Sequence, residues 1–468
     1  MKKLMPMAGL ETIRKYSGCP PPALCDRLPA WRLLVIGMAM FAAGGASAKA
    51  AVFEVGPANY RAVLATLGPG DELRLGPGVY DDGLPIHGLN GTGAEPIIIS
   101  GAAGSRPSVL LGRPGSNTVS IRNAAHIIVR DLELDGRGAF VDAVKAEGSA
   151  AYAHHIRLER LAIHGYSRHQ QAVGISTKCP AWNWSIVDNR IVGAGTGIYL
   201  GDSDGSAPFV DGLIEGNVVR DTTGYSLQIK HQLARPALAE FPRDRRRTII
   251  RYNRFGKARG ASAGADARPN VLLGHFPLDG PGHDDEYLVY GNYFLQNPHE
   301  ALFQGEGNLA LYANVFVNTY DNGFPAVAIQ PHKDVPRRVR IVLNSVLHPG
   351  VGIRIDAGEA RTGGEFEQIA AGNLIFADSG VEGGMQYQNL TQPIQAFGGR
   401  PASLGADPCV TGLQAGALQD MPLELARFGE LPALREDFHG RRRDMRERGA
   451  CMAVGAPLDQ AKGERYSR

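Results

Sequence analysis

Two stretches of this chain concentrate side chains able to move protons or grip polar ligands. GYSLQIKHQ, at 224–232, sets Lys230 beside His231. A lysine and a histidine on one strand can act as base and acid once their surroundings tune them. The plainer reading is a solvated lysine on the outer face of a strand. NPHEALFQGEGN, at 297–308, gathers His299, Glu300, Gln304 and Glu306. Glu300 and Glu306 can hold sugar hydroxyls or work as a carboxylate pair in hydrolysis. HEALF lacks the second histidine of the zinc-protease motif. A polar loop is the plainer reading of this stretch.

Other clusters carry weaker signals. His154, His155, His164 and His169 lie close in sequence, with Arg168. Neighbouring strand residues face opposite ways, so His154 and His155 are expected on different sides. No spacing among these histidines matches a metal-ligand pattern, and surface histidines are the plainer reading. Asp202 and Asp204, and then Asp279, Asp284, Asp285 and Glu286, offer oxygen ligands for Ca²⁺. They lack the order of an EF-hand loop. Apart from that Ca²⁺ option no cofactor is expected. There is no phosphate-binding loop, no dinucleotide fingerprint and no C-x-x-C pair. Arg235, Arg243, Arg245, Arg246 and Arg247 make a basic run that either meets an anionic glycan or is simply exposed.

The elements that position these residues come from a repeat. A short apolar segment containing Asn recurs as VDNRIV, IEGNVV, IRYNRF, VYGNYF, LYANVF, IVLNSV and IAAGNLIF. The asparagines are Asn189, Asn217, Asn253, Asn292, Asn314, Asn344 and Asn373. IIVRDLEL at 127–134 and IRLERLAI at 156–163 are weaker relatives without the Asn. The intervals vary, which disfavours the even blades of a propeller and fits solenoid turns with loops of different length. One such strand cannot bury itself, whereas stacked turns form parallel sheets around a continuous apolar core. An Asn at the same bend of each turn tolerates left-handed backbone and can bond its neighbours, so a structural ladder is predicted. Tyr60, Val63, Leu64 and Leu67 fall at helical spacing within 57–67 and predict a helix covering one open end.

Composition agrees. The chain has 468 residues and 60 glycines, about twice the usual share, as a turn-rich β architecture requires. Residues 33–43, LLVIGMAMFAA, follow Arg32 and precede Ala46-Ser47-Ala48. A basic flank, a short apolar core and an A-x-A site read as a secretory signal peptide over 1–48, with an uncleaved anchor as the alternative. Export to a periplasm or beyond is therefore expected. Removing that segment takes away six basic and two acidic residues and turns the formal charge of +2 into −2. A near-neutral remainder gives no electrostatic case for nucleic acid. Cys409 and Cys451 can pair, leaving Cys179 odd; three free thiols are the alternative.

GDELRLGPGVYDDGLPI at 70–86, GTGAEPIIISGAAGSRPSVL at 91–110 and DFHGRRRDMRERGACMAVGAP at 437–457 together resemble the opening and closing segments of pectate-lyase-like proteins. The resemblance covers roughly 52–457 and is nearest the alginate lyase and chondroitinase B branch. It implies an all-β, right-handed, single-stranded parallel β-helix over 49–400, an N-terminal capping helix, and a closing segment over 401–468. It also implies a partner that is an acidic polysaccharide, bound along one exposed sheet face. β-Elimination there needs a base for the C5 proton, a neutralised carboxylate and a donor to the leaving oxygen. By position Lys230 resembles the base and His275 the branch's histidine, while Gly274 stands where its arginine would be. His231 is a substitute donor, and Arg251 and Arg254 are substitute cations. With Glu300, Gln304 and Glu306, the two arginines complete the expected substrate contacts. The epimerase motif D-P-H-D is not found. The expectation is a polysaccharide lyase or a related hydrolase or epimerase. The alternative is a noncatalytic β-helix that binds glycan or serves at the cell surface.

Overall fold

The computed structural model describes residues 50–102, 106–166, 169–257, 260–332, 335–357, 366–413, 419–429 and 431–452. The leader read over 1–48 and Arg168 lie outside the described residues. The described residues form one compact unit. Among the described residues no helix is long and apolar enough to cross a membrane.

The chain winds through three parallel sheets of 15, 12 and 11 strands. One turn shows the pattern. Leu213–Glu215 lies in the first sheet, Val218–Arg220 in the second, Leu227–Ile229 in the third, and Arg247–Arg251 returns to the first. This is the expected right-handed parallel β-helix. Most strands are short because they turn a corner after three to five residues, and their period of two sends alternate side chains inward. Leu227 and Ile229 are fully buried, with Ile214, Val219, Val271 and Leu273 in the same core. Phe255, Phe294 and Phe316 stack on successive turns, with centroids 5.4 and 4.4 Å apart.

The asparagine ladder is present at the corner between the first and second sheets. Each amide nitrogen from Asn189 to Asn344 donates to the oxygen of the next Asn at 2.9–3.0 Å, and Asn373 extends the series to Asn389 at 2.8 Å. One detail differs from expectation. The left-handed residue is the one before each Asn: Asp188, Gly216, Tyr252, Gly291, Ala313, Leu343, Gly372 and Gln388. That bend turns the Asn side chain into the wall, where its two protons and its oxygen are all used. In the two weaker repeats the position falls to buried Leu132 and Leu161, each after a left-handed residue, Asp131 or Arg160. A second, shorter series links Asn297 to Asn270 and to Asn318.

The predicted helix is Tyr60–Leu64. It buries Tyr60 and Leu64 against the first turns, Tyr60 meeting Tyr80 edge-on at 5.1 Å. At the far end Cys409 and Cys451 form a disulfide, and Cys179 is buried and free. The closing segment covers two of the three outer faces. Leu423, Leu425 and Phe428 pack on Tyr290, Tyr312 and Ile369 of the first sheet. Leu413, Phe438 and the disulfide pack on Tyr293, Val315 and Leu374 of the second. Parallel sheets are ordinarily covered on both faces. The third sheet instead presents polar side chains outward, and that face is the place to look for a ligand.

Candidate active-site face of the third sheet

Two columns of side chains run along this face, one residue from each turn. Strand register aligns Lys145, Ser176, Tyr199, Gln228, Leu272, Gln304 and Ala328, each flanked by inward-facing core residues. The second column begins one residue beyond the strands. The amides of Lys178, Lys230, Gly274, Glu306 and Gln330 each donate to a carbonyl of the preceding turn. Gly201 completes the column, its amide bonded to Thr177 Oγ1. The order along the axis is therefore Lys178, Gly201, Lys230, Gly274, Glu306, Gln330.

Lys230 thus stands between two residues without side chains. A Cβ on Gly201 would lie 3.3 Å from the Cβ of Lys230. A Cβ on Gly274 would lie 2.3 Å from the amide nitrogen of His231, a separation no side chain tolerates. A cavity of about 180 Å³ opens beside Lys230, lined also by Tyr225, Gln228, His231, Gln304, Glu306 and His332. Toward the helix end the same face holds a larger groove of about 640 Å³, with His87, Arg113, Asp142, Lys145 and Glu147 in its lining.

Charges on this face are tuned by burial. Lys178 has its Nζ 3.6 Å from the centre of the Tyr199 ring and 3.8 Å from Asp202. Burial pulls its pKa down to about 8, against the pull of Asp202, and Lys145 and Lys230 add to the lowering. Burial also raises the Tyr225 hydroxyl above the usual phenol range. Glu300 accepts from the Ala301 amide at 2.8 Å and from Gln304 Nε2 at 3.0 Å. Burial nevertheless lifts its carboxyl above the usual range. The second asparagine series holds this turn in place: Asn297 Oδ1 accepts from the amides of His299 and Glu300.

The structure brings Lys230, His231, Gln304 and Glu306 to one cavity, and Glu300 reaches it through Gln304. His231 is buried, with Nε2 3.1 Å from the Asp204 carbonyl. His275 turns inward instead: it is buried, its Nδ1 lies 2.7 Å from the Phe276 carbonyl, and its ring sits 5.4 Å from that of His231. Arg251 and Arg254 do not reach this face, because the turn carries them into other sheets. Arg251, in the first sheet, pairs with Glu215 at 2.7 Å and donates to the Tyr290 hydroxyl. Arg254, in the second, is buried under the closing segment and donates to the Leu404 and Ala406 carbonyls.

The basic run is paired with nearby carboxylates, while Arg243, Arg245 and Arg247 stay exposed. Arg235 makes a buried ion pair with Asp285, and Arg245, Arg247 and Arg340 converge on buried Glu286. Arg246 binds Asp211 and Asp244, and Arg338 binds Asp284. The acidic loop considered for Ca²⁺ and the basic run considered for a glycan thus pair with each other.

Lys178, Tyr199 and Tyr225 were not picked out from the sequence. The signal was there: GISTK at 174–178 and SLQIK at 226–230 both place a lysine one residue past a strand of this sheet. Within the histidine group, His164 and His169 fit the surface reading, and the pair His154 and His155 departs from expectation. His164 binds Glu133 on the second sheet, and His169 packs on Phe140. His154 and His155, expected on opposite sides, have their Nδ1 atoms 2.8 Å apart. His155 has φ +53°, and this left-handed residue breaks the alternation of the strand.

No family model and no curated protein matches the chain. Among solved structures it is similar to an alginate lyase from Paenibacillus sp. str. FPU-7, at 15% identity and TM-score 0.42, over 73% of this chain and 99% of that one. It is similar to a lacto-N-biosidase from Eubacterium ramulus, at 12% identity and TM-score 0.47, over 74% and 68%. It is also similar to the A-module of a mannuronan C-5 epimerase from Azotobacter vinelandii, at 15% identity and TM-score 0.35, over 72% and 94%.

Proposed function

We propose that the outer face of the third sheet binds an extended uronate polysaccharide and cleaves it by β-elimination. The observation that carries this reading is the column in which Lys178 and Lys230 alternate with Gly201 and Gly274, beside a column of tyrosine and amide side chains. Rungs are about 4.8 Å apart, close to the length of one sugar in an extended chain. The two lysines, two rungs apart, then meet carboxylates on different sugars. The glycines leave room for the rings between them.

In this reading Lys230 removes the proton next to the carboxylate, whose charge is met by the Gln228 and Gln304 amides. The electron pair forms the new C=C bond as the C–O bond to the neighbouring sugar breaks. Tyr225, kept protonated by burial, gives its proton to the departing oxygen. Export, as read from the leader, places such a protein where polymers of this kind are met; cell fractionation tests that point.

The purified chain is incubated with a panel of uronate polysaccharides, with and without Ca²⁺, and ultraviolet absorbance of the unsaturated product is followed. Product from wild type and none from Lys230→Ala supports the assignment. Tyr225→Phe should cost roughly 100-fold or more in kcat. The noncatalytic reading rests on Gly274, where no side chain fits. It is favoured if no product forms while gel retardation by a polyuronate is lost in Lys178→Ala and Lys230→Ala. Neither product nor retardation on any polymer removes both readings.

A further inference from the structure

We propose that His126, His154 and His155 form a binding site for a late first-row divalent metal ion, apart from the third-sheet face. The three side chains come from two successive turns of the first sheet, whose strands Ala124–Arg130 and Ala153–Glu159 pair in parallel. Each histidine offers a ring nitrogen, and these nitrogens all lie within 4.8 Å of one another. Donors about 2.1 Å from one tetrahedral zinc ion sit about 3.4 Å apart, so the widest pair closes by up to about 1.4 Å, a movement that side-chain rotation supplies. Neutral imidazole is a preferred donor for Zn²⁺, Cu²⁺, Ni²⁺ and Co²⁺ and a poor one for Ca²⁺ or Mg²⁺.

The backbone at this corner is specialised. His126 and His155 both adopt left-handed φ, +56° and +53°, a conformation costly for ordinary residues and more accessible to histidine than to most. The bend aligns their rings in a stack with centroids 4.3 Å apart. It also brings His155 Nδ1 against Nδ1 of the buried His154. The outer nitrogens are held in turn. His154 Nε2 lies 3.4 Å from the Glu240 carboxylate, the orienting partner that metal-bound histidines commonly have. His155 Nε2 lies 3.0 Å from the Asn183 amide, which can present its oxygen instead of its nitrogen when the ring proton moves to Nε2.

The cluster opens onto a cavity of about 530 Å³ lined by Tyr152, Trp182, Leu238 and Glu240 as well as His126 and His154. Three protein nitrogens with space beside them leave a coordination position for water or an oxygen ligand. Trp182 stacks on His154 with centroids 4.2 Å apart, which supplies an optical reporter.

The full chain, purified without a histidine tag, is titrated with Co²⁺ and with Cu²⁺. Co²⁺ should bind at one equivalent with visible absorption of low-coordinate cobalt, and Cu²⁺ should quench the emission of Trp182. His126→Ala removes a half-exposed ligand, and His155→Asn keeps a residue that tolerates left-handed backbone; each should weaken binding at least tenfold. His164→Asn, outside the cluster, should leave it unchanged. Trp182→Phe should keep the cobalt absorption and lose the quench. The proposal is overturned if wild type shows no one-equivalent cobalt spectrum, or if the spectrum survives unchanged in both His126→Ala and His155→Asn.

Discussion

Gly274 faces the backbone of His231 so closely that a Cβ on it would lie 2.3 Å from the amide nitrogen of His231 and 2.7 Å from its Cα. The neighbouring atoms are main chain of a paired rung and cannot move aside. Gly274→Ala should therefore lower stability by about 2 kcal/mol or more, by overpacking alone. Thermal unfolding of wild type and variant measures it. An unchanged midpoint would show that the two rungs separate easily, and with that the snug wall beside Lys230 would be lost.

The asparagine ladder should be graded along its length. Asn292 donates to Ile250, Tyr290 and Asn314 and accepts from Asn253, all buried. Asn292→Ala leaves several buried groups unpaired at about 1–3 kcal/mol each, so a loss of about 3 kcal/mol or more is expected. Asn389 closes the ladder in a less buried setting, and among the described residues its side chain bonds Asn373 and the Ala370 carbonyl. Asn389→Ala should cost about 1 kcal/mol. Equal losses at the two positions would mean the ladder bonds contribute little compared with packing.

The architecture was legible because it repeats. Seven asparagines at the same place in seven apolar segments report a corner, and period-two burial reports the walls. The site was only half legible. Gln304 sits in the middle of a strand and Lys230 one residue past another; their outward direction follows from alternation, and both reach the face. Arg251 lies two positions before the ladder residue Asn253 and Arg254 one position after it, and the corner sends one into each adjoining sheet. Which sheet a residue enters depends on where the corner falls, and loops of different length hide that from a linear reading. His155 shows a second limit: one left-handed residue reverses the side on which its neighbour is expected, and nothing local in HHI announces it.

Lys178 should make ligand binding depend on pH. Its folded pKa is about 8, so it is charged below that value and neutral above it. Retention by a polyuronate should be full near pH 6.5 and weaken as pH rises through about 8. Arginine stays protonated throughout this range, so Lys178→Arg should flatten the profile while Lys178→Ala should be weak at every pH. Affinity electrophoresis over pH 6–9 decides. A profile identical in wild type and Lys178→Arg would place the titrating group elsewhere.

His439 should tie docking of the closing segment to pH. Its Nε2 lies 2.8 Å from Asp407 and its Nδ1 3.7 Å from Asp437. Burial works against the charged ring, but the bonds to the two aspartates outweigh it and raise its pKa from 6.5 to about 9. The folded state thus holds a proton that the unfolded chain releases at lower pH. The stabilisation is complete below about pH 6.5 and is lost as pH climbs through about 9. After allowance for solvent screening it is on the order of 2 kcal/mol. Lys257 acts the other way, since burial holds it down to about 7 and its unfolded form binds a proton that the folded form refuses. Total stability therefore mixes the two, and the difference between wild type and His439→Gln isolates the histidine. That difference should shrink steadily between pH 6.5 and 9 in thermal unfolding. Proteolysis of the closing segment should speed up over the same range in wild type and stay constant in His439→Gln. A difference that does not change with pH would mean that His439 holds the segment as a neutral ring.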